Sequence, residues 1–433
     1  MKLKLTTVYS LQAFQLMRYA TMILIGVFMA KSSLGMEAIG AYEQFMFLAG
    51  SVSFFWLTGL IRGLLPLYRE TDSDDVRFFN AFLLISVLTL LSSLVIFFLA
   101  EMWFPQQAVG DGFSVRWMLA IYLFCTVPAG LTEYYFLLKK KSARIVVYGA
   151  VSYVLMLGLV LTPAVLGWGI GSCLKGLVVW AIFRYLVLWF ILLRYVRLKF
   201  SAAYQREHIG VSVPLILSAL VSGSAQYVDG FIVRSQYDES VFAIFRFGAR
   251  EFPIVLLLAN AFSNAMLPTF ASTDSLETVL EKIKKESTRL SHYLFPLSGL
   301  LLVTSHMLFP LLFNQNFAES ASVFNIYLLL ITSRMLFPQT ILIGLKRTSL
   351  IAWASIGELL VNVTLSVWFV QFAGIQGVAF ATVLAYLFEK GLLAMLVESR
   401  LNIPVTKYQN ISRHLIYSLF LLSLFYIVEF VIY

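Results

Sequence analysis

"AIFRFGAREFPIVLLLANAFSNAMLPTF" (Ala243–Phe270) reads in two ways at once. Its apolar residues run on long enough to cross a bilayer as a helix, for which about 20 residues suffice. Yet Arg246 and Arg250 sit inside it four residues apart, a spacing that stacks side chains on one helix face. The stretch also has a counterpart earlier in the chain. "AYEQF" (Ala41–Phe45) matches "AIFRF" (Ala243–Phe247), and "LPLY" (Leu65–Tyr68) matches "LPTF" (Leu267–Phe270), both at an offset of 202 residues (243 − 41 and 268 − 66). A membrane span that recurs in the second half of the chain is the reading from which the rest follows.

The composition agrees. Of 433 residues, 60% are hydrophobic and 13% charged, against about half and a quarter in soluble domains; mean hydropathy is +0.84. Apolar runs of spanning length recur at 9–31, 38–62, 78–101, 116–138, 145–166, 169–194, 211–235, 240–270, 289–313, 320–345, 349–373, 375–397 and 412–433. The expected class is an all-α polytopic membrane protein of roughly thirteen helices. The net charge of +9 does not point to nucleic acid, because Lys and Arg cluster in short loops between apolar runs. "KKKSAR" (Lys139–Arg144), "RYVRLKF" (Arg194–Phe200) and "EKIKKESTR" (Glu281–Arg289) alternate with loops nearly bare of Lys and Arg. The positive-inside rule then places the N-terminus and the basic loops in the cytoplasm.

The repeat continues past the opening match. "LKKKS" (Leu138–Ser142) aligns with "LKRTS" (Leu345–Ser349) at 345 − 138 = 207, and the "GI" at Gly169 with that at Gly374 at 374 − 169 = 205. Six spans per half give both halves the same orientation. The expectation is two six-helix bundles, 1–200 and 201–400, related by a pseudo-two-fold along the membrane normal, plus one C-terminal helix in 401–433. Substrate is held between the halves in such repeats. In the connection before the ninth span, Asp274 and Glu277 have capping-box spacing, which predicts an interfacial helix.

Other chemistry has little support. Cys125 and Cys173 lie in apolar runs and read as small hydrophobes. The four histidines lack metal spacing, so no metal site is expected. No phosphate-binding loop is present, which argues against direct ATP use.

Four segments, "GLIRGLLPLYRE", "AIFRFGAREFPI", "NAMLPTF" and "FNIYLLLITSRMLFPQTILIGLKR", resemble bacterial polysaccharide exporters of the Wzx O-antigen flippase type. These belong to the multidrug/oligosaccharidyl-lipid/polysaccharide (MOP) transporter superfamily. The resemblance covers about residues 9–397. Members commonly have twelve or fourteen spans, so a thirteenth departs from the pattern. The resemblance implies a non-enzymatic flippase of the bacterial cytoplasmic (inner) membrane. Such a protein moves an undecaprenyl-pyrophosphate-linked oligosaccharide from the cytoplasmic to the outer leaflet by alternating access, often with an ion gradient. It implies the lipid-linked oligosaccharide, membrane lipids and polysaccharide assembly proteins as partners, and no cofactor beyond H+ or Na+. The alternatives are a multidrug/cation antiporter of the same superfamily and a membrane polysaccharide polymerase or ligase. Short external loops speak against the enzyme.

The intramembrane charges supply the candidate residues. Each charge at the bilayer centre costs about 2.5–3.5 kcal/mol, so Arg18, Arg250 and Arg334 are expected to face a cavity or a partner. Helical geometry puts Arg246, Arg250, Asn260 and Asn264 within about 80° on one face, with a kink at Pro253. Arginine's planar fork suits a diphosphate, which makes Arg246 and Arg250, with Arg18 and Arg334, the expected pyrophosphate-binding set. Gln12, Gln15, Asn260 and Asn264 are the expected polar cavity lining. Asp229, Glu251 and Glu358 are candidates for ion coupling. Arg184 and Glu389 hold equivalent places in the repeat (389 − 184 = 205) and read as structural, either paired across the halves or paired separately.

Overall fold

The computed structural model describes residues 7–68, 74–103, 108–109, 113–250, 253–271 and 275–433. It falls into two compact units, Met1–Gly223 and Ser224–Tyr433. Unit 1 contains α1 (Thr7–Ala30), α2 (Met36–Ser51), α3 (Phe54–Leu67), α4 (Asp74–Trp103), α5 (Val115–Ala129), α6 (Leu131–Leu138), α7 (Ser142–Val165), α8 (Gly169–Tyr195) and α9 (Ala202–Gly223). A two-residue antiparallel ladder, Ala108–Val109 with Phe113–Ser114, precedes α5. Unit 2 contains α10 (Ala225–Gln236), α11 (Glu239–Gly248), α12 (Pro253–Met266), α13 (Leu276–Leu312), α14 (Ala318–Leu328), α15 (Ile331–Arg334), α16 (Pro338–Gly344), α17 (Thr348–Leu401), α18 (Val405–Tyr408) and α19 (Ile411–Ile427).

Among the described residues, eight helices are long and apolar enough to cross a membrane, or ten if each sharply bent pair counts as one span. Their outer faces are apolar: Leu90, Leu94 and Phe98 on α4 and Leu419 and Phe420 on α19 are exposed. A soluble domain does not leave such stripes bare; in a membrane protein they meet acyl chains.

Several spans expected as single helices are interrupted, and each break has a local cause. Between α5 and α6 stands Gly130, with Pro128 in the last turn of α5. Pro338 opens α16 at its first position, where a missing N–H costs nothing. The expected continuous helix over 240–270 does not form: α11 ends at Gly248 and α12 begins at Pro253. Proline disfavours helical backbone in the residue before it and removes a donor, so the chain breaks outright rather than kinking. The second span of unit 1 breaks in the same region, between α2 and α3.

The repeat is visible in the backbone. Gly169 and Gly374 both take positive φ, +79° and +58°. Lys140 and Lys346 also take left-handed φ, 52° and 58°. They close equivalent helix ends: Lys141 N–H donates to Phe136 O at 2.8 Å, and Arg347 N–H to Leu342 O at 2.7 Å. These are the six-to-one bonds that satisfy terminal carbonyls. The equivalence runs at 346 − 140 = 206, one residue off the register suggested by matching "LKKKS" to "LKRTS".

Gly374 is the one non-helical residue of α17 and divides it into two spans, 348–373 and 375–401. Asn362 bonds to Thr382 and Ser355 to Glu389. Pairs that close evenly around the turn make the two halves an antiparallel hairpin.

In unit 1, α9 runs along α3 at close range. A Cβ on Gly59 would overlap the Ile216 backbone, and one on Gly63 would overlap Ser212 Oγ. "GLIRG" thus acts as a G-x-x-x-G contact. The seventh span, expected to open the second half, is therefore split between α9 of unit 1 and α10 of unit 2. α13 is a single 37-residue helix, about 55 Å long. Its N-cap is Ser275, whose side chain accepts from Thr278 N–H at 3.3 Å; Asp274 lies outside the described residues. The expected interfacial helix is simply the first turns of this long span. The C-terminal helix is tied in by Glu429, which accepts from His306 at 2.8 Å and from Asn325.

Arg184 and Glu389 pair separately, each in its own unit. Arg184 bridges Glu133 at 3.1 Å and donates to Tyr148 Oη at 2.9 Å. Glu389 bridges Lys390 at 3.1 Å.

Candidate functional site

Asp229 lies on α10 and is 1% exposed, a carboxylate inside an apolar bundle. No cation bonds to it among the described residues; neutral groups surround it instead. Tyr327 of α14 donates its hydroxyl to Oδ2 at 3.0 Å. Asn362, from the first half of α17, donates Nδ2 to Oδ1 at 3.2 Å. Thr382, from the second half, donates its hydroxyl to Oδ2. Asn362 Nδ2 also reaches Thr382 Oγ1 at 3.1 Å. One oxygen here, Asn362 Oδ1, is buried with no hydrogen-bond partner among the described residues, and the Ser366 hydroxyl faces the Asp229 carboxylate. Neutral oxygens packed around a buried carboxylate form a set of hard donors, the type preferred by small hard cations. Among the described residues no cluster of three or more His, Cys, Asp or Glu exists.

Four of these residues, Tyr327, Asn362, Ser366 and Thr382, are not evident from charge alone. The signal is the stripe Ser355, Glu358, Asn362, Ser366, spaced by three to four residues through an apolar run. One turn from the cage, Glu358 is also buried. Its electrostatic neighbours include Asp229, Glu389, Arg334 and Lys390. The structure thus brings together two of the three expected ion-coupling carboxylates, while Glu251 lies outside the described residues.

The expected pyrophosphate set is distributed as follows. Arg246 stands in the last turn of α11. Arg250 falls in the break before α12, with its guanidinium 4.7 Å above the Phe247 ring. The break removes the single helical face expected for Arg246, Arg250, Asn260 and Asn264; the two asparagines sit exposed on α12. Both arginines are half-buried, Arg246 within the last turn of α11 and Arg250 beyond its end. Arg334 ends α15, its guanidinium 4.4 Å over Tyr386. Arg18 is exposed on α1 in unit 1, with its guanidinium 5.5 Å from the Tyr19 ring; Gln12 is exposed and Gln15 half-buried on the same helix.

A family model described as "Polysaccharide biosynthesis protein" matches residues 34–322, more than half of the chain. The chain belongs to this polysaccharide biosynthesis family. No curated protein sequence matches it. Among solved structures, the family member is similar to the lipid II flippase MurJ in an inward closed conformation, with TM-score 0.67 at 16% identity over 96% of this chain and 93% of that one. It is also similar to an inward-facing multidrug resistance MATE family transporter of the MOP superfamily, with TM-score 0.58 at 13% identity over 97% and 99%. A MOP superfamily transporter from Pyrococcus furiosus described as having a binding pocket of reverse polarity gives TM-score 0.50 at 13% identity over 97% and 95%. The fold is therefore the two-lobed MurJ/MATE fold of a multi-pass membrane protein.

Proposed function

We propose that the protein flips an undecaprenyl-pyrophosphate-linked oligosaccharide from the cytoplasmic to the outer leaflet of the bacterial inner membrane by alternating access. The observation that carries this reading is a polysaccharide biosynthesis family member built on a flippase and transporter fold. On this reading the N-terminus and basic loops are cytoplasmic, and partners include polysaccharide assembly proteins. Arg246 and Arg250, at the break between α11 and α12, bind the pyrophosphate with forked hydrogen bonds. Arg18 and Arg334 add charge, and Gln12, Gln15, Asn260 and Asn264 meet sugar hydroxyls.

The coupling ion is a proton or sodium at Asp229. The residues fit such an ion: Asp229 would hold it, with Asn362 Oδ1, Ser366 Oγ and Thr382 Oγ1 as neutral oxygen donors. A bound monovalent cation supplies the charge that the buried carboxylate lacks.

A multidrug/cation antiporter is the second reading, favoured by the likeness to MATE transporters. Reconstituted full-length protein decides between them. A fluorescent undecaprenyl-pyrophosphate oligosaccharide should change leaflet in proteoliposomes, read by quencher access, and a cationic dye should not accumulate. Dye transport without lipid movement overturns the flippase reading.

A further inference from the structure

Glu358 stands out among the buried acids of unit 2. It is 4% exposed, and its Oε1 has no hydrogen-bond partner among the described residues. A carboxylate oxygen without a partner inside a membrane is costly, and acids with structural roles in this chain are paired, as Glu133 is with Arg184. Polar pairs flank Glu358 along the α17 hairpin. On the Gly374 side, Asn362 bonds to Thr382; on the other, Ser355 donates to Glu389 Oε1 at 3.1 Å. These pairs form a polar seam between the two halves of α17. Glu358 lies four residues from Asn362, about 6 Å of helix rise, toward the end that carries Lys346, Arg347 and Arg400. The charges facing it are Glu389 and Lys390 from the second half of α17, Asp229 from α10 and Arg334 from α15. Lys390 is itself engaged, with Nζ 3.1 Å from Glu389 and 3.0 Å from Gln339 Oε1.

We propose that Glu358 is a second station for the coupling cation, a relay carboxylate between the Asp229 cage and the basic end of the α17 hairpin. This rests on the reading of Asp229 as the coupling site. If the cation is a proton, an O–H bond on Asp229 breaks as one on Glu358 forms, and the negative charge moves the opposite way. If it is sodium, ligands exchange and no covalent bond changes. Arg334 and Lys390 limit how tightly Glu358 holds either cation, so the station passes its cargo on.

The test separates binding from passage in the full-length protein. Binding is read in detergent as the Tm rise on adding sodium, or on acidification without sodium. Passage is read in proteoliposomes under an imposed gradient, with a sodium-sensitive dye in one arm and a pH dye in the other; the responding arm identifies the cation. Glu358→Gln should keep the wild-type Tm rise while flux falls to that of protein-free vesicles, and Glu358→Asp should restore part of the flux. Wild-type flux in Glu358→Gln overturns the relay. So does loss of binding as complete as in Asp229→Asn, which would merge the two sites. An Asp229→Asn protein that keeps the Tm rise overturns the Asp229 reading and the relay with it. In the wild-type protein, a hydrophobic carbodiimide, which reacts with a protonated carboxyl group, should form an adduct at Glu358, found by peptide mass spectrometry; sodium should suppress it if sodium is the coupling cation, and acidification should enhance it if a proton is. No adduct, or one indifferent to both sodium and pH, overturns the relay even where Glu358→Gln does not fold.

Discussion

Gly169 and Gly374, 205 residues apart, both take positive φ, +79° and +58°, at the start of equivalent helices in the two units. A side chain fits spatially at either place: nothing lies within 4 Å of a Cβ on Gly169, and only Tyr237 Oη, at 3.5 Å, meets one on Gly374. What requires glycine is backbone conformation.

Alanine at Gly169 or Gly374 should therefore destabilise the protein by about 1–3 kcal/mol, the cost of holding an L-residue at a sparsely populated positive-φ backbone conformation. Gly158, with normal φ and open space around its Cβ, is the control, and its alanine variant should be neutral or slightly stabilising. Thermal unfolding in detergent measures all three. Equal losses at all three would remove the backbone argument.

Arg184 and Glu133 form a buried ion pair in unit 1, with Tyr148 and Trp180 packed on the guanidinium. Arg184→Ala strands a buried carboxylate and should cost about 3–5 kcal/mol; the double variant Arg184→Met/Glu133→Leu should cost clearly less. Unfolding midpoints of the two single variants and the double variant give the coupling. Additive losses would mean the pair does not act as one.

Arg246→Ala/Arg250→Ala should abolish lipid-linked sugar movement while expression and membrane insertion remain normal. Lysine at Arg250 should recover little, because an ammonium lacks the fork and the planar face over Phe247. The leaflet assay reads both. Full activity in the double alanine variant would end the phosphate role.

Asp229→Asn should remove the cation-dependent Tm rise and gradient-driven export together. Thr382→Val should weaken the Tm rise without abolishing it, since it removes one oxygen donor and leaves the carboxylate. A Thr382→Val protein indistinguishable from wild type would exclude that oxygen from the cage.

Spans and repeat are legible in the chain because both rest on long-range averages, apolar length and a near-constant offset. Helix breaks are legible only in part. Pro253 marks one, but sequence periodicity carries Arg250 onto a helix that ends at Gly248. The coupling cage is the least legible feature. Asp229 and Glu358 are visible as charges in apolar runs. Thr382, 153 residues from Asp229, and Tyr327, 98 residues away, are ordinary polar residues of a kind that transmembrane helices carry for interhelical bonding. Only packing reveals which of them converge.

The turn at Gly374 also bears on how the chain is made. With one residue between them, the segments 348–373 and 375–401 are tethered as a tight hairpin. Insertion of the two arms as a pair would keep Glu358, Asn362, Glu389 and Lys390 shielded from lipid by the opposing helix during synthesis.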